Sequence, residues 1–176
     1  RVEFDTRHFP NPVSMIDNLN NNYGMNLMVW IANQMDGDME SIARSNNWVF
    51  PDDPDRVAFG PALDLRLNNA YDWLSEILST SADMGVRGYK IDRGEENEHP
   101  DYAQNENVYL MAKCAFESFT NRGISDHFIF ARNVYDKARQ YTAVWNGDPK
   151  HTSYFWNGLR SSTIHQLRCA MINMPM

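Results

Sequence analysis

Two aspartates stand where chemistry could be done. Asp92 ends the run Arg87-Gly-Tyr-Lys-Ile and opens Asp92-Arg93-Gly94-Glu95-Glu96, and Asp148 closes Trp145-Asn146-Gly147-Asp148, just after the run Tyr141 to Trp145. Arg132-Asn133 follows a third apolar run, His127 to Ala131, and Asn33 comes soon after a fourth, Asn26 to Ile31. A site with two carboxyl groups and a guanidinium suits a reaction in which one acid must stay protonated while the other is ionised. Glycoside cleavage has that demand: one carboxyl donates to the leaving oxygen, and the other attacks or activates water. Plainer readings compete. An Asp after a strand is often a helix cap or a turn residue, and Asn-Gly-Asp-Pro is by itself a turn. Asp92, Glu95 and Glu96 also offer the oxygens that Mg²⁺ or Ca²⁺ takes, although no loop of fixed ligand spacing is present.

The elements that must carry these residues can be read from the apolar pattern. Asn11-Pro12 opens a helix, since Asn caps and Pro suits the first helical position, and Val13, Ile16 and Leu19 recur at helical spacing up to Gly24. Asn26 to Ile31 is continuously apolar and predicts a buried strand. From Asn33 to Pro61 the pattern breaks into a long excursion rich in Pro and Asp, with a short helix over Asp38 to Ser45. Helices are predicted over Asn68 to Met84, Gln104 to Asn121 and Ser153 to Met171, and strands over Arg87 to Ile91, His127 to Ala131 and Tyr141 to Trp145. Gly24, Gly85 and Gly123 each stop a helix just before a strand. Alternation of this kind predicts an α/β fold with parallel strands, either doubly wound or a barrel, whose active residues gather at the carboxyl ends of the strands.

Composition excludes other classes. The chain has 176 residues, 43% hydrophobic and 22% charged, as in an ordinary globular protein. A net charge of −7 and the lack of a basic stripe argue against a nucleic-acid partner. No stretch approaches the roughly 18 apolar residues of a membrane span. Cys114 and Cys169 lie in apolar helical surroundings and are expected to be buried thiols. No glycine-rich phosphate fingerprint follows any strand, so nothing supports a nucleotide cofactor, and no cofactor or metal is called for. The chain starts at Arg1 and ends in the apolar run Ala170 to Met176, so it reads as part of something longer.

Several segments together resemble glycoside hydrolase family 31. Tyr89-Lys-Ile-Asp-Arg-Gly-Glu95 resembles that family's nucleophile signature, an apolar strand ending in Asp with Glu three residues on. Tyr141-Thr-Ala-Val-Trp-Asn-Gly-Asp148 resembles its acid/base segment, Arg132 and Arg139-Gln-Tyr141 the stretch before it, and Trp156 and Leu159 the Trp-x-x-Leu after it. Phe9-Pro-Asn-Pro with Met15-Ile16 and Leu19, and Leu63-Asp-Leu65, match earlier pieces, in the family's order and over nearly the whole chain. The resemblance implies a (β/α)₈ TIM barrel, of which a chain with four clear strands holds the central portion, roughly strands three to six of eight. Residues 1–176 would then be part of a single catalytic domain, with the flanking barrel strands and β domains lying elsewhere.

The resemblance also implies an activity: a retaining α-glycosidase, chiefly of the α-glucosidase type, with α-xylosides and α-galactosides, transglycosylation or an α-glucan lyase reaction as alternatives. Asp92 is then the nucleophile and Asp148 the general acid/base. Arg132 holds sugar hydroxyls and keeps Asp92 ionised, Trp30 and Trp145 wall the pocket, and Glu95 supports the site. Arg93 stands where many members carry an aromatic residue or Met; its guanidinium could meet a substrate group or pair with Glu95 or Glu96. Asn133 replaces a common Ser or Thr. Lys90 is read as a barrel-facing or buried paired lysine and not as a catalytic one. The partner is an oligosaccharide or α-glycoside substrate. Oligomeric state, a homo-oligomer included, and compartment stay open, with family habit leaning to a secreted or periplasmic site.

Overall fold

The computed structural model describes residues 4–55, 60–94, 98–134, 136–153 and 157–176. Helix α1 (Pro12–Tyr23) opens with the Asn11 side chain accepting from the Ser14 N–H and closes at Gly24, whose φ of +63° is the left-handed conformation glycine adopts freely. Ile16 is the residue of its predicted apolar face that is fully buried, while Val13 is exposed. Strand β1 (Met28–Ile31) follows, and then the long excursion, which contains helix α2 (Gly37–Ser45) capped by Asp36. Antiparallel bridges Gln34–Ala62 and Val49–Leu63 tie that excursion back on itself.

Helix α3 (Asn68–Asp83) precedes β2 (Gly88–Ile91), and α4 (Gln104–Thr120) precedes β3 (Phe128–Ala131). A 3₁₀ turn (Asp136–Gln140) leads to β4 (Ala143–Val144), and α5 (Leu159–Met171) comes last. The four strands form one parallel sheet in the order β1-β2-β3-β4. Strands that neighbour in space in their chain order make the arc of a barrel; a doubly wound sheet reverses its order at a switch point. The choice that periodicity left open is thereby settled.

One face of the sheet is sealed by helices. Tyr89, Ile129 and Val144 point to that face and are buried. The Tyr89 ring packs at a tilt on Phe119 of α4, 4.9 Å between centres, and its hydroxyl donates to the Leu78 carbonyl of α3 at 2.7 Å. The ring thus locks β2 to both helices, and its one polar atom is satisfied, as a buried hydroxyl requires. Leu74 and Leu78 of α3 and Met111, Ala115 and Phe119 of α4 complete this core. Cys114 and Cys169 are buried free thiols, and burial pushes the Cys114 pKa up.

Two predicted boundaries need correction. The strand expected over Tyr141 to Trp145 is only Ala143–Val144, because the Tyr141 ring leaves the sheet to pack on Tyr109 and Phe116. The last helix starts at Leu159 rather than Ser153, since Gly158 has a non-helical φ of +142°.

Candidate active site

The register of the sheet places the site. Trp30, Lys90, Phe130 and Ala143 share one rung. Two residues on, the ladder continues past the strand ends: Asp92 N–H donates to the Ile31 carbonyl, Arg132 N–H to Ile91 and Trp145 N–H to Ala131, each at 2.9 Å. Asp92, Arg132 and Trp145 therefore occupy one rung at the carboxyl end, on the face opposite the helices, because side chains alternate along a strand. Lys90 lies two residues below Asp92 on the same face.

Asp92 is held on several sides. The Trp30 indole N–H donates to Oδ2 at 2.9 Å, and the Arg93 backbone N–H donates to Oδ1 at 2.9 Å. Arg132 Nη1 donates to Oδ1 at 3.2 Å, and Lys90 Nζ lies 3.7 Å from Oδ2. Burial by itself pushes the Asp92 pKa up. The Trp30 and Arg93 N–H groups, Arg132 and the Lys90 charge outweigh it, so the carboxyl titrates below its ordinary value. Asp92 is thus kept ionised.

Asp148 lies in the loop after β4, with its side chain 75% exposed against 13% for Asp92. The Arg132 Nη1 that donates to Asp92 is also 3.5 Å from Asp148 Oδ2. The two carboxylate oxygens are therefore no further apart than the sum of those two contacts. Asn146, two residues before Asp148, donates to Ser162 Oγ of α5 at 2.7 Å and ties this loop to the helix. A groove of about 600 Å³ runs between Arg132, Trp145, Asp148, Ser161 and His165, within the size range of small-ligand sites.

The remaining predicted residues are placed as follows. Trp145 stacks under two cations, with Lys90 Nζ 3.8 Å and Arg132 Cζ 5.6 Å from the ring centre. Trp30 points its indole N–H at Asp92. Arg93 turns to Glu98, 3.4 Å away, a partner that the sequence reading did not name. Glu95, Glu96 and Trp156 lie outside the described residues. Among the described residues no cluster of three His, Cys, Asp or Glu side chains could hold a metal, and no helix is long and apolar enough to cross a membrane.

Sequence reasoning missed the polar cluster behind Asp92. Asn33 donates to His99 Nε2 at 2.6 Å, and both are buried. Asn133 and Gln104 both donate to the Gly94 carbonyl. The only signal for this cluster was the position of Asn33 and Asn133 just past strand ends.

The same fold is met in known proteins. The sheet and helices superpose on a family 31 dextranase from Flavobacterium johnsoniae, complexed with glucose, with a TM-score of 0.67 at 18% identity, covering 78% of this chain and 20% of the dextranase. The chain thus spans about a fifth of that protein's length. The glycoside hydrolase domain of PelA from Pseudomonas aeruginosa matches with a TM-score of 0.62 at 13% identity, over 93% of this chain and 70% of the other. An α-galactosidase from Thermus thermophilus in complex with stachyose gives 0.56 at 16% identity, over 89% and 39%. At such identities the likeness is one of fold. A search of curated protein sequences finds no match. The model of the glycosyl hydrolases family 31 TIM-barrel domain, however, matches residues 1–176 throughout, and the chain belongs to that family.

Proposed function

We propose that this domain carries out retaining cleavage of terminal α-linked sugars, with α-glucosides as the leading substrates, Asp92 as nucleophile and Asp148 as general acid/base. One observation carries the reading: a single Arg132 nitrogen contacts carboxylates from two different strand ends, 3.2 Å from Asp92 and 3.5 Å from Asp148. The upper limit this sets lies near the bottom of the inverting range of about 6.5–9.5 Å and leaves room for the retaining separation of about 5–5.5 Å. The dextranase complexed with glucose supports an α-glucosyl substrate, and the α-galactosidase marks the nearest alternative.

The roles follow from the surroundings of each acid. Asp92, ionised and aimed by its hydrogen bonds, attacks the anomeric carbon. As that C–O bond forms, the bond to the leaving oxygen breaks and the oxygen takes the proton of Asp148. Asp148, now ionised, removes a proton from water; the water oxygen displaces Asp92, and the sugar leaves with its original configuration. Arg132 also offers N–H groups to sugar hydroxyls, Trp145 presents a ring face in the groove, and Glu95 and Arg93 remain proposed supports of the sugar pocket. We also propose that residues 1–176 belong to a single catalytic barrel domain, since the four described strands make half of a closed eight-stranded barrel.

The test is a panel of 4-nitrophenyl α-glycosides of glucose, xylose, galactose and N-acetylgalactosamine with the full-length protein, with the first-formed anomer followed by NMR. Release of an α-sugar is expected, fastest from the glucoside. A β-anomer as first product would refute retention, and longer oligosaccharides or an anhydro-sugar would turn the reading to transfer or to a lyase.

A further inference from the structure

Behind Asp92 stands a carboxylate that the proposed chemistry does not use. Glu98 is 5% exposed. Its Oε2 accepts from the Gly94 backbone N–H at 2.5 Å and from the Gln34 side-chain amide at 3.1 Å. Its Oε1 accepts from Arg93 Nη1 at 3.4 Å. Glu98 therefore grips the turn that directly follows Asp92, through the backbone of one residue and the side chain of the other, and anchors it to the segment beyond β1.

That turn needs a grip. Arg93 has φ +69° and Gly94 φ +83°. The left-handed region is uncommon for a residue with a side chain, and it persists where surrounding contacts fix it. The two ends of Gly94 are both held: its N–H by Glu98, and its carbonyl by the Asn133 and Gln104 amides. The bent backbone is also what aims the Arg93 N–H at Asp92 Oδ1, 2.9 Å away.

We propose that Glu98 is a positioning residue for Asp92: by accepting from the Gly94 N–H and holding the Arg93 guanidinium, it fixes the Arg93–Gly94 turn that orients the attacking carboxylate. The inference rests on Asp92 being the nucleophile. Glu98 makes no contact with the reacting atoms and Arg93 itself is retained in its variants, so the loss of Glu98 acts chiefly on the attack step. What the Gly94 N–H requires is an acceptor oxygen at that spot. Gln keeps one, Met fills the same space with none, and Asp withdraws its oxygens by one methylene.

The experiment measures covalent labelling of the full-length protein by the 5-fluoro-α-glycosyl fluoride of the sugar cleaved fastest in the panel above. Asp92 displaces fluoride and forms a C–O ester, which mass spectrometry of the digest assigns to its peptide. For wild type, Glu98→Gln and Glu98→Met, the saturating labelling rate and the half-saturating concentration are measured separately. Glu98→Met is expected to lose about tenfold or more in the saturating rate, with half-saturation changed by less than about twofold. Glu98→Gln is expected to stay within about threefold of wild type. Equal rates in all three proteins, equal losses in Gln and Met, or a change confined to half-saturation would each overturn the inference. If Glu98→Met does not fold, Glu98→Asp replaces it with the same expected split and the same overturning outcomes. Wild-type protein labelled elsewhere than Asp92 would instead overturn the nucleophile assignment, and the positioning role with it.

Discussion

The two aspartates of this site live in opposite surroundings. Asp92 directly follows β2, an interior strand of the sheet, is 13% exposed, and takes hydrogen bonds from Trp30, the Arg93 backbone and Arg132. Asp148 follows the two-residue strand β4, is 75% exposed, and lies 3.5 Å from Arg132 across the groove. The difference fits a division of labour. A nucleophile works best ionised and aimed throughout the cycle, and preorganised donors provide both. A general acid/base has to take up and give away a proton each turnover, which a carboxyl open to water and aglycone can do. Arg132 belongs to both: among the described residues its side chain lies against each acid.

The comparison can be broken hardest at its fixed end. Asp92→Ala removes the attacking atom, so turnover of the best aryl α-glycoside should fall by at least about 10⁴-fold while the circular dichroism spectrum is unchanged. Substantial turnover without an added nucleophile would sink the assignment. Asp148→Ala should act selectively. Substrates with poor leaving groups should lose about 10²–10⁴-fold, whereas a 2,4-dinitrophenyl glycoside, whose leaving oxygen needs no proton, should lose less than about tenfold in its first step. A uniform loss across leaving groups would strip Asp148 of the acid role and leave the exposed carboxylate without one.

How much of this contrast the sequence discloses depends on which forces fix each part. The strands and helices that carry Asp92, Arg132 and Trp145 were legible, because apolar runs and stopping glycines are local signals. Knowing that active residues follow strand ends was enough to bring Asp92, Arg132 and Asp148 together, and the family resemblance added the role of Trp145. The strand before Asp148 was read too long because Tyr141 is apolar enough to extend the run, although its ring belongs to a helix-facing cluster with Tyr109 and Phe116. Asn33 and His99 are 66 residues apart in the chain and meet only once β1 and β2 are paired. Polar pairs of this kind leave no periodic trace. Arg93 illustrates the same limit: its contact with Glu98 depends on the left-handed turn of its backbone, which the sequence does not announce.

Milder changes sharpen the comparison. Arg132→Met keeps the bulk of the shared cation and removes its charge, so kcat/KM should drop by about 10²-fold, the size expected for a charge-assisted hydrogen bond to a reacting group. Because Arg132 is among the groups that lower the Asp92 pKa, the acid limb of the kcat/KM profile should also move to higher pH. An unmoved limb would mean that Arg132 serves only the sugar.

Trp30→Phe is the smallest and most specific change. It keeps a ring on β1 and deletes the N–H that reaches Asp92 Oδ2 at 2.9 Å. Burial already opposes ionisation of Asp92, and the Trp30 hydrogen bond is the first of the interactions that offset it. With that bond gone the Asp92 pKa rises, so a larger fraction of the enzyme is protonated and inactive on the acid side. The acid limb of kcat/KM should therefore shift up, and the plateau should fall by about tenfold, as one hydrogen bond to a charged group predicts. At pH values well above the limb Asp92 is ionised in both proteins, so the loss that remains there measures aim alone. A Trp30→Phe protein with the wild-type limb and a raised KM would return Trp30 to the simpler role of a wall against the sugar, and would leave the ionisation of Asp92 to Arg93, Arg132 and Lys90.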